Sequence, residues 1–352
     1  MENKKVLLGM SGGVDSSVSA LLLKKQGYEV IGITLEMFDN NSNVSLDAKK
    51  VCEQLNIPHY AFSCKNDFKK HVIDDFIACY SNCKTPNPCI ECNRYIKFGY
   101  MYEKAKELDC NYIATGHYAK NEYNKEYDRW VIKKSNAGNK DQTYVLWNIP
   151  KEVIEHIIFP LANFENKEQI RQIAREADLE VANKPDSEDI CFVPNGNYKE
   201  FLEKNSDIKP KTGNIVNSNG EVLGKHTGLY NYTIGQRKGL GIAYKVPLFV
   251  LGFNKVKNEV IVGEEKELYK REIQVSNINL LLIDKIDEQI EVDVKTRYST
   301  KSAKATIIQD GNKIKVIFKE PQRAITPGQS AVFYIDDMVL GGGKICFQEQ
   351  SY

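Results

Sequence analysis

The stretch Ser11-Gly12-Gly13-Val14-Asp15-Ser16-Ser17 decides the fold, because of the residues on either side of it. The apolar run before it, Lys5-Val6-Leu7-Leu8-Gly9-Met10, predicts a buried β-strand, and residues 18–25 after it predict a helix. Two adjacent glycines let backbone amides approach a ligand closely, and the N-terminus of the following helix attracts negative charge. The stretch therefore indicates a phosphate-binding turn between a strand and a helix.

The turn differs from the phosphate loop of common NTPases, because the Lys of G-x-x-x-x-G-K-[ST] is missing. S-G-G-x-D-S-S instead resembles the PP-loop of the ATP pyrophosphatases. Those enzymes cleave ATP between the α- and β-phosphates and adenylate a carbonyl oxygen. The resemblance implies an α/β fold of the adenine nucleotide alpha hydrolase-like kind. An ordinary glycine-rich turn is the alternative, and the length of the match argues against it.

The composition is that of a soluble globular protein. The chain has 352 residues, 42% of them apolar and 27% charged, enough for two or three domains. The 48 Lys and Arg residues nearly balance the 47 Asp and Glu residues, so any nucleic-acid surface must be a local patch. We expect no signal peptide, no membrane span and no membrane partner. The nine cysteines then indicate reduced thiols in a cytoplasmic protein.

The pattern of strands and helices changes twice along the chain. Strands and helices alternate at first, which predicts a mostly parallel sheet with helices on both faces. Ligands of such sheets lie at the carboxyl ends of the strands, where the PP-loop and Gly116-His117 would fall. Later the strands become short and glycine turns frequent, as in small β-barrels. We therefore predict a PP-loop domain, a small central β-rich domain and a C-terminal β-barrel at 1–207, 208–268 and 269–352.

Two further stretches carry cysteines. Thr85-Pro86-Asn87-Pro88-Cys89-Ile90-Glu91-Cys92-Asn93 contains two prolines, which forbid a helix here and predict an ordered loop between two helices. Asp186-Ser187-Glu188-Asp189-Ile190-Cys191-Phe192 is the second stretch. One cysteine at each of two separated sites suits a reaction in which one thiol carries sulfur and the other resolves the resulting disulfide.

Six motifs occur in one order: the PP-loop, P-N-P-x-x-x-C-N, A-T-G-H-Y, K-D-Q, D-S-x-x-I-C-F and T-I-G-Q-R-K-G-L. Together they resemble the tRNA-uridine 2-sulfurtransferases, and the resemblance covers residues 5 to about 347. That family thiolates the wobble uridine of the tRNAs for Lys, Glu and Gln, using ATP and persulfide sulfur. The resemblance implies two partners, tRNA and a protein that donates the sulfur, such as a sulfur relay or a cysteine desulfurase.

The resemblance also implies roles for single residues. ATP binding is implied for Gly9, Met10, Ser11, Gly12, Gly13, Val14, Asp15, Ser16, Leu35 and Gly116. Cys191 would hold the persulfide, and Cys92 would be the nucleophile that later forms a disulfide with it. The segment facing the target base would be Asn87, Pro88 and Cys89. Contacts with tRNA are implied for His117, Lys140, Asp141, Gln142, Arg237, Lys238, Arg297, Tyr298 and Gln329.

The residue types suit this chemistry. Adenylation makes the uridine carbonyl oxygen a good leaving group, as AMP, and a thiolate or persulfide is nucleophilic near neutral pH. Cys92 can then break the S–S bond by forming a disulfide with Cys191, which a reductant must clear. Mg²⁺ would bridge the phosphates, with Asp15 as a candidate ligand and catalytic residue. The uridine must leave the anticodon stack to be reached.

Cys89 departs from the family pattern, which usually has an Asp at this position. Cys89-x-x-Cys92 with Cys191 as a third thiol resembles the [4Fe–4S] site of the cluster-dependent tRNA thiolases, in which three thiols leave one iron free to hold sulfide. A cluster-borne sulfur therefore stays open beside the persulfide, as do zinc and free thiols.

Two other function classes are alternatives. One is a PP-loop ligase or amidotransferase acting on a small molecule, which the two cysteine stretches and the later β domains disfavour. The other is a sulfur-carrier or RNA-binding protein that has lost catalysis. The intact PP-loop, together with Cys92 and Cys191, argues against that second alternative.

Overall fold

A five-stranded parallel sheet forms the centre of the first part of the chain, in the order β3-β2-β1-β4-β7. The computed structural model describes residues 4–39, 42–184 and 189–346, so Asp186, Ser187 and Glu188 of the second cysteine stretch lie outside the described residues. The strands in chain order are β1 (Lys5–Gly9), β2 (Glu29–Glu36), β3 (His59–Ser63), β4 (Tyr112–Ala114), the hairpin strands β5 (Lys120–Asn124) and β6 (Arg129–Lys133), and β7 (Ile157–Ile158).

Helices cover both faces of this sheet. They are α1 (Val14–Lys25), α2 (Ser42–Gln54), α3 (Lys65–Phe68), α4 (Asp74–Ser81), α5 (Pro88–Glu91), α6 (Met101–Glu107), α7 (Lys167–Glu176) and α8 (Tyr198–Asn205). A π-helical segment, Lys69–Ile73, joins α3 to α4, and a second one, Cys92–Tyr100, joins α5 to α6. Short 3₁₀ helices lie at Gly138–Lys140, Thr143–Val145, Lys151–His156, Glu180–Asn183, Pro194–Gly196, Leu229–Asn231 and Glu265–Leu268.

The alternation of side chains along β1 explains why both faces need a cover. Leu7 packs into a core on one face with residues of α4 and α6, such as Phe76 and Met101. Val6 and Leu8 point to the other face and pack with residues of α1, α2 and α7. Val6, Leu7 and Leu8 are fully buried, so the centre of the strand is apolar on both faces, as the sequence predicts. Among the described residues, no helix is both long and apolar enough to cross a membrane.

A four-stranded sheet follows, in the order β10-β11-β8-β9. Its strands are β8 (Gly213–Asn217), β9 (Val222–His226), β10 (Phe249–Asn254) and β11 (Glu259–Gly263). β11 and β8 pair in parallel, and the other pairs are antiparallel. Ile215, Val250, Val260 and Val262 form its buried centre. The central β-rich unit predicted from the sequence is therefore present.

The last part of the chain is a closed barrel. Its strands are β12 (Tyr269–Leu280), β13 (Ile290–Lys295), β14 (Ala303–Asp310), β15 (Lys313–Arg323), β16 (Ser330–Ile335) and β17 (Met338–Cys346). They follow the order β12-β15-β14-β13-β16-β17, and β12 also pairs with β17, which closes the ring. The predicted barrel is thus confirmed. The sequence did not predict that the β5–β6 hairpin would pair with the barrel, where Lys133 of β6 lies opposite Met338 of β17.

The barrel is anchored to the first cysteine stretch. The Lys344 ammonium, on β17, lies 3.1 Å from Asp75 Oδ1 and 3.0 Å from Glu91 Oε1, one residue before Cys92. Burial lowers the pKa of Lys344, but the Glu91 and Asp75 carboxylates outweigh it and raise that pKa above its usual value. Glu91 is buried, and a carboxylate taken out of water is costly without a partner of opposite charge such as Lys344. The ion pairs therefore fix the position of the cysteine helix against the barrel.

Replacing Lys344 tests this anchor. Lys344→Met keeps an apolar stem but leaves the buried Glu91 carboxylate without the ammonium, which costs on the order of 1–3 kcal/mol. We expect the free energy of unfolding in urea at neutral pH to fall by that amount. The matched control is Lys315→Met, whose partner Glu272 is exposed, with an expected loss of about 0–1 kcal/mol. Equal losses in the two variants would contradict the anchoring role.

Candidate active site

The PP-loop lies at the carboxyl edge of the parallel sheet, between the end of β1 and the start of α1. Gly12 has a φ of +63°, a backbone conformation that glycine adopts without strain. The Ser16 hydroxyl accepts a hydrogen bond from the Ser11 amide (3.2 Å) and donates one to the Gly13 carbonyl (3.1 Å). Gly13 is the N-cap residue of α1 and makes no side-chain cap. The first-turn amides thus face the loop, which suits an anion.

The Asp15 side chain connects the loop to two distant parts of the chain. Its Oδ1 accepts a hydrogen bond from the Tyr118 hydroxyl (2.8 Å), and its Oδ2 lies 2.8 Å from the Lys167 ammonium. A Cβ on Gly116 would lie 3.0 Å from the Cβ and the carbonyl carbon of Asp15, so any larger residue would press against the loop and force it to shift. The structure therefore brings the predicted nucleotide contact Gly116 against the PP-loop.

Two more elements meet the loop. The Lys184 ammonium donates to the Gly12 carbonyl (2.9 Å) and to the Asp47 carboxylate (2.7 Å), which ties the segment preceding the second cysteine stretch to the loop. Leu35 lies buried near the carboxyl end of β2, the strand next to β1. The predicted ATP-binding residues are therefore gathered at one edge of the sheet.

Sequence reasoning missed three side chains of this edge: Tyr118, Lys167 and Lys184. Tyr118 ends the A-T-G-H-Y motif, and that position was the available signal. The two lysines lie in charged stretches in which nothing distinguishes them from exposed lysines. Only their contacts in the fold reveal them.

The first cysteine stretch was predicted to be a loop without a helix, and this is wrong: α5 begins at Pro88 and the helical run continues through Cys92. The Asn87 side chain accepts a hydrogen bond from the Cys89 amide (3.2 Å) and caps α5, and Pro88 occupies the first turn, where its missing N–H costs nothing. Cys89 and Cys92 are three residues apart on this helical run. Cys89 is exposed and Cys92 is buried, and Cys191 is exposed in the second stretch.

The three thiols influence one another electrostatically. Burial above all, with smaller contributions from negative charge on Cys191 and Cys89, raises the pKa of Cys92 to about 12, while Lys97 opposes the shift. Cys191 is exposed at the surface, but surrounding protein atoms partly desolvate its thiol, and this, followed by the charge of Cys89, raises its pKa; Lys97 and the backbone amides of Cys191 and Phe192 oppose the shift. The two stretches therefore meet, with Lys97 as the cation beside them. Sequence reasoning had not selected Lys97.

The arrangement of the three thiols does not favour a metal site. Among the described residues, no three His, Cys, Asp or Glu side chains are grouped so that they could hold a metal ion. All nine cysteines are free thiols. Cys89, Cys92 and Cys191 therefore do not fit a three-ligand iron–sulfur or zinc site in this arrangement.

His117 differs from its expected role. The side chain is buried, its ring centre lies 5.9 Å from that of Phe98 and 6.3 Å from that of Phe159, and Nδ1 lies 2.8 Å from the Thr115 hydroxyl. Burial, and secondarily the charge of Lys97, lowers the pKa of His117 well below its usual value. A neutral, enclosed imidazole does not fit the predicted contact with tRNA. It packs beneath the site instead.

Other predicted tRNA contacts bind the protein itself. Asp141 accepts hydrogen bonds from the amides of Ser135 (2.8 Å) and Thr143 (3.1 Å), and the Gln142 side chain accepts one from the Tyr118 amide (3.0 Å). These contacts hold the loop before the 3₁₀ turn at Thr143–Val145. Asp141 and Gln142 therefore have a structural role in this loop.

Arg297 and Gln329 join domains. The Arg297 guanidinium donates to the carbonyls of Ile234 (3.1 Å) and Ala324 (2.9 Å), so it links the central T-I-G-Q loop to the barrel. The Gln329 amide donates to the carbonyls of Thr85 (2.9 Å) and Pro86 (3.2 Å), and so fastens the first cysteine stretch to the barrel. Both side chains position elements of the site.

The remaining predicted contacts lie at the surface: the exposed residues are Lys140, Arg237, Lys238 and Tyr298. Burial of the ring, then the charges of Asp141 and Cys89, raises the pKa of Tyr298. Tyr298, on the barrel, thus lies near the exposed cysteine. Arg237 lines a cavity of about 410 Å³ in the central sheet domain, with Tyr244 and Lys245 on its wall.

The fold and the loop define an α/β protein of the HUP class with two appended β domains. Three family models match the chain in this order. They are the tRNA methyl transferase HUP domain over residues 4–195, the tRNA methyl transferase PRC-barrel domain over 199–264, and the aminomethyltransferase beta-barrel domain over 270–345. Together they span all three parts of the structure.

Relatives named tRNA-specific 2-thiouridylase MnmA match nearly the whole chain. The protein of Clostridioides difficile (strain 630) is 45% identical over 97% of this chain and 98% of its own. That of Acetivibrio thermocellus is 47% identical over 98% of this chain and 100% of its own, and that of Caldicellulosiruptor saccharolyticus is 47% identical over 97% and 98%. The chain therefore belongs to the MnmA family of tRNA-specific 2-thiouridylases, which are sulfurtransferase enzymes.

Solved structures show a weaker likeness. The NMN synthetase of Francisella tularensis is 19% identical over 53% of this chain and 67% of its own, with a TM-score of 0.34. This level of similarity carries no argument about function.

Alkylation tests the difference between the thiols. We expect iodoacetamide to modify Cys191 in the native protein and to spare Cys92, because the first is exposed and the second buried. Since the pKa of Cys191 is raised, its thiol is protonated at neutral pH, and its modification rate should increase from about pH 7 to about pH 9.

Tandem mass spectrometry after timed alkylation measures each cysteine, and fragmentation distinguishes Cys89 from Cys92 within the tryptic peptide that they share. Cys52 is the buried control and should become reactive only on unfolding. Modification of Cys92 at the rate of Cys191, or a rate for Cys191 that does not change with pH, would contradict the assignment.

Proposed function

We propose that this protein uses ATP to 2-thiolate the wobble uridine of the tRNAs for Lys, Glu and Gln, with sulfur carried on Cys191 and Cys92 as the resolving thiol. The proposal rests on the residues that link the PP-loop to the cysteines. Gly116 lies against Asp15 of the PP-loop, and its neighbour His117 is close enough to Lys97 for that charge to lower its pKa. Lys97 acts in the same way on Cys92 and Cys191.

The first step is adenylation. The uridine carbonyl oxygen bonds to the α-phosphorus of ATP, the α–β phosphoanhydride bond breaks, and pyrophosphate leaves with its electron pair. Residues Gly9 to Ser16, with Leu35 and Gly116, would bind the nucleotide. Asp15 would offer Mg²⁺ a carboxylate oxygen, the ligand type that this ion prefers, and Tyr118 and Lys167 orient that carboxylate.

Sulfur transfer follows. The terminal sulfur of a Cys191 persulfide attacks C2 of the base, and AMP leaves. The Cys92 thiolate then attacks the Cys191 sulfur, which forms the Cys92–Cys191 disulfide and leaves the second sulfur on the uridine. A reductant restores both thiols. Because Lys97 opposes the raised pKa of both cysteines, it supports the thiolates that these steps need.

The partners would be tRNA and a protein that carries persulfide sulfur. The exposed Lys140, Arg237 and Lys238 supply positive charge for phosphates, and Tyr298 offers an aromatic face near Cys89, in the segment Asn87 to Cys89 proposed to face the base. The proposed domains 1–207, 208–268 and 269–352 would then serve activation, tRNA binding and support of the cysteine stretch.

The persulfide route is preferred to its alternatives. The three thiols do not group as metal ligands among the described residues, so we derive no step through a [4Fe–4S] cluster. The name of the HUP family model mentions methyl transfer, but two thiols with opposite exposure suit sulfur transfer better.

Asp15→Ala tests the first step. Removal of this carboxylate takes away the partner of Tyr118 and Lys167 at the loop, and we expect adenylation to fall by about 10²-fold or more. The measurement is tRNA-dependent exchange of labelled pyrophosphate into ATP. Binding of tRNA, measured by filter retention, should stay nearly intact. Full exchange activity in the variant would rule out the PP-loop assignment.

Cysteine variants test the second step, with bulk tRNA, ATP and a persulfide donor and a mercury-containing gel as the readout. Cys191→Ser should abolish thiolation yet permit adenylated tRNA to form. Cys89→Ser should keep most activity if the persulfide route operates. The control Cys110→Ala lies before β4, at the opposite edge of the sheet, and should be neutral. Complete loss in Cys89→Ser, with iron in anaerobically purified protein, would favour the cluster.

A further inference from the structure

The PP-loop has no cationic side chain of its own, since residues 9–17 contain neither Lys nor Arg. Its donors are backbone amides and serine hydroxyls. A triphosphate carries several negative charges, and enzymes that transfer phosphoryl groups usually offset them with Lys, Arg or a metal ion. The loop therefore needs a cation from elsewhere in the fold.

Lys167 brings such a cation to the loop. Its ammonium lies 2.8 Å from Asp15 Oδ2, and both side chains are largely enclosed, with 17% of Lys167 and 29% of Asp15 exposed. An ion pair at this depth is more than a surface contact between two flexible side chains.

The position of Lys167 is set by packing. The Asn166 side chain caps α7 by accepting a hydrogen bond from the Gln169 amide (3.1 Å), so Lys167 occupies the first helical position. Ile170 and Ala174 of α7 are fully buried in the same core as residues of α1. Because α7 and α1 share this core, the first turn of α7 is held beside the first turn of α1.

The second lysine at the loop has a different environment. Lys184 donates to the Gly12 carbonyl, and Asp47 neutralises its charge. Its contacts brace the backbone of the loop. Lys167 contacts the side chain of a residue that the proposed function assigns to the nucleotide, which makes it the better placed cation.

We propose that Lys167 binds the β- and γ-phosphates of ATP, which become the pyrophosphate leaving group. Its ammonium has three donors on a flexible stem, so it can turn from Asp15 toward phosphate oxygens that carry more charge than one carboxylate. When the α–β bond breaks, the electron pair stays on pyrophosphate, and the ammonium offsets the charge that develops there. This inference rests on the proposed use of ATP and names the cation of that site.

Isothermal titration of Lys167→Met with magnesium-ATP and with adenosine tests the proposal. Removing the ammonium should weaken ATP binding by about tenfold or more, because the phosphates lose a charged partner. Adenosine has no phosphate, so its affinity should stay within about twofold. Lys167→Arg should restore most of the ATP affinity, since it keeps the charge.

The matched control is Lys106→Met. Lys106 is also paired with a carboxylate, 2.7 Å from Glu103, but on α6, which leads to the opposite edge of the sheet. Its loss should change neither affinity. If Lys167→Met does not fold, Lys167→Gln, which can still donate a hydrogen bond to Asp15, serves for the same comparison.

The outcomes distinguish a failure of the proposed function from a failure of the role proposed for Lys167. If the wild-type protein binds no ATP, the proposed function fails. If it binds ATP and Lys167→Met binds it equally well, the role of Lys167 is overturned while the function stands. An equal loss of ATP and adenosine binding would show that Lys167 only braces Asp15, and this would also overturn the proposal.

Discussion

The carboxylate of Asp15 joins parts of the chain that are far apart in sequence. One oxygen binds Tyr118, 103 residues away, and the other binds Lys167, 152 residues away. A parallel sheet makes this convergence possible, because every crossover helix returns the chain so that strand ends and loops gather at one edge. The fold thus brings Tyr118 and Lys167 to the loop between β1 and α1, although both are distant from it in the sequence. The chemistry proposed for this edge depends on that convergence.

A second constraint determines the position of the first cysteine stretch. The first cysteine stretch is held from outside the α/β domain, since Gln329 binds its backbone and Lys344 binds Glu91 beside Cys92. Both of these side chains belong to the barrel. The barrel therefore helps to determine where Cys92, the proposed resolving thiol, lies. The same barrel places Tyr298 near Cys89, so the proposed base recognition and the proposed sulfur chemistry would share one support.

Local signals in the sequence predicted the phosphate-type loop, the parallel sheet and the barrel, because apolar periodicity and glycine turns act over a few residues. The sequence did not predict the roles of Lys97, Lys167 and Lys344, because these roles depend on contacts that form only in the fold. A lysine in a charged stretch looks solvated unless its partner is known, and Lys344 lies 269 residues from Asp75. His117 shows the same limit: its place at a strand end was predicted, but the rings of Phe98 and Phe159 that bury it come from other elements.

The unequal burial of the two thiols bears on the order of events in the proposed reaction. A Cys92 thiolate present before the base is attached would attack the Cys191 persulfide and release the sulfur as sulfide. Burial raises the pKa of Cys92 to about 12, so the resolving thiol is protonated and inert in the resting protein. Cys191 is exposed and can receive sulfur from a protein donor. In the proposed reaction, the burial that makes Cys92 a poor nucleophile at rest would thus protect the sulfur on Cys191 until the uridine has taken it.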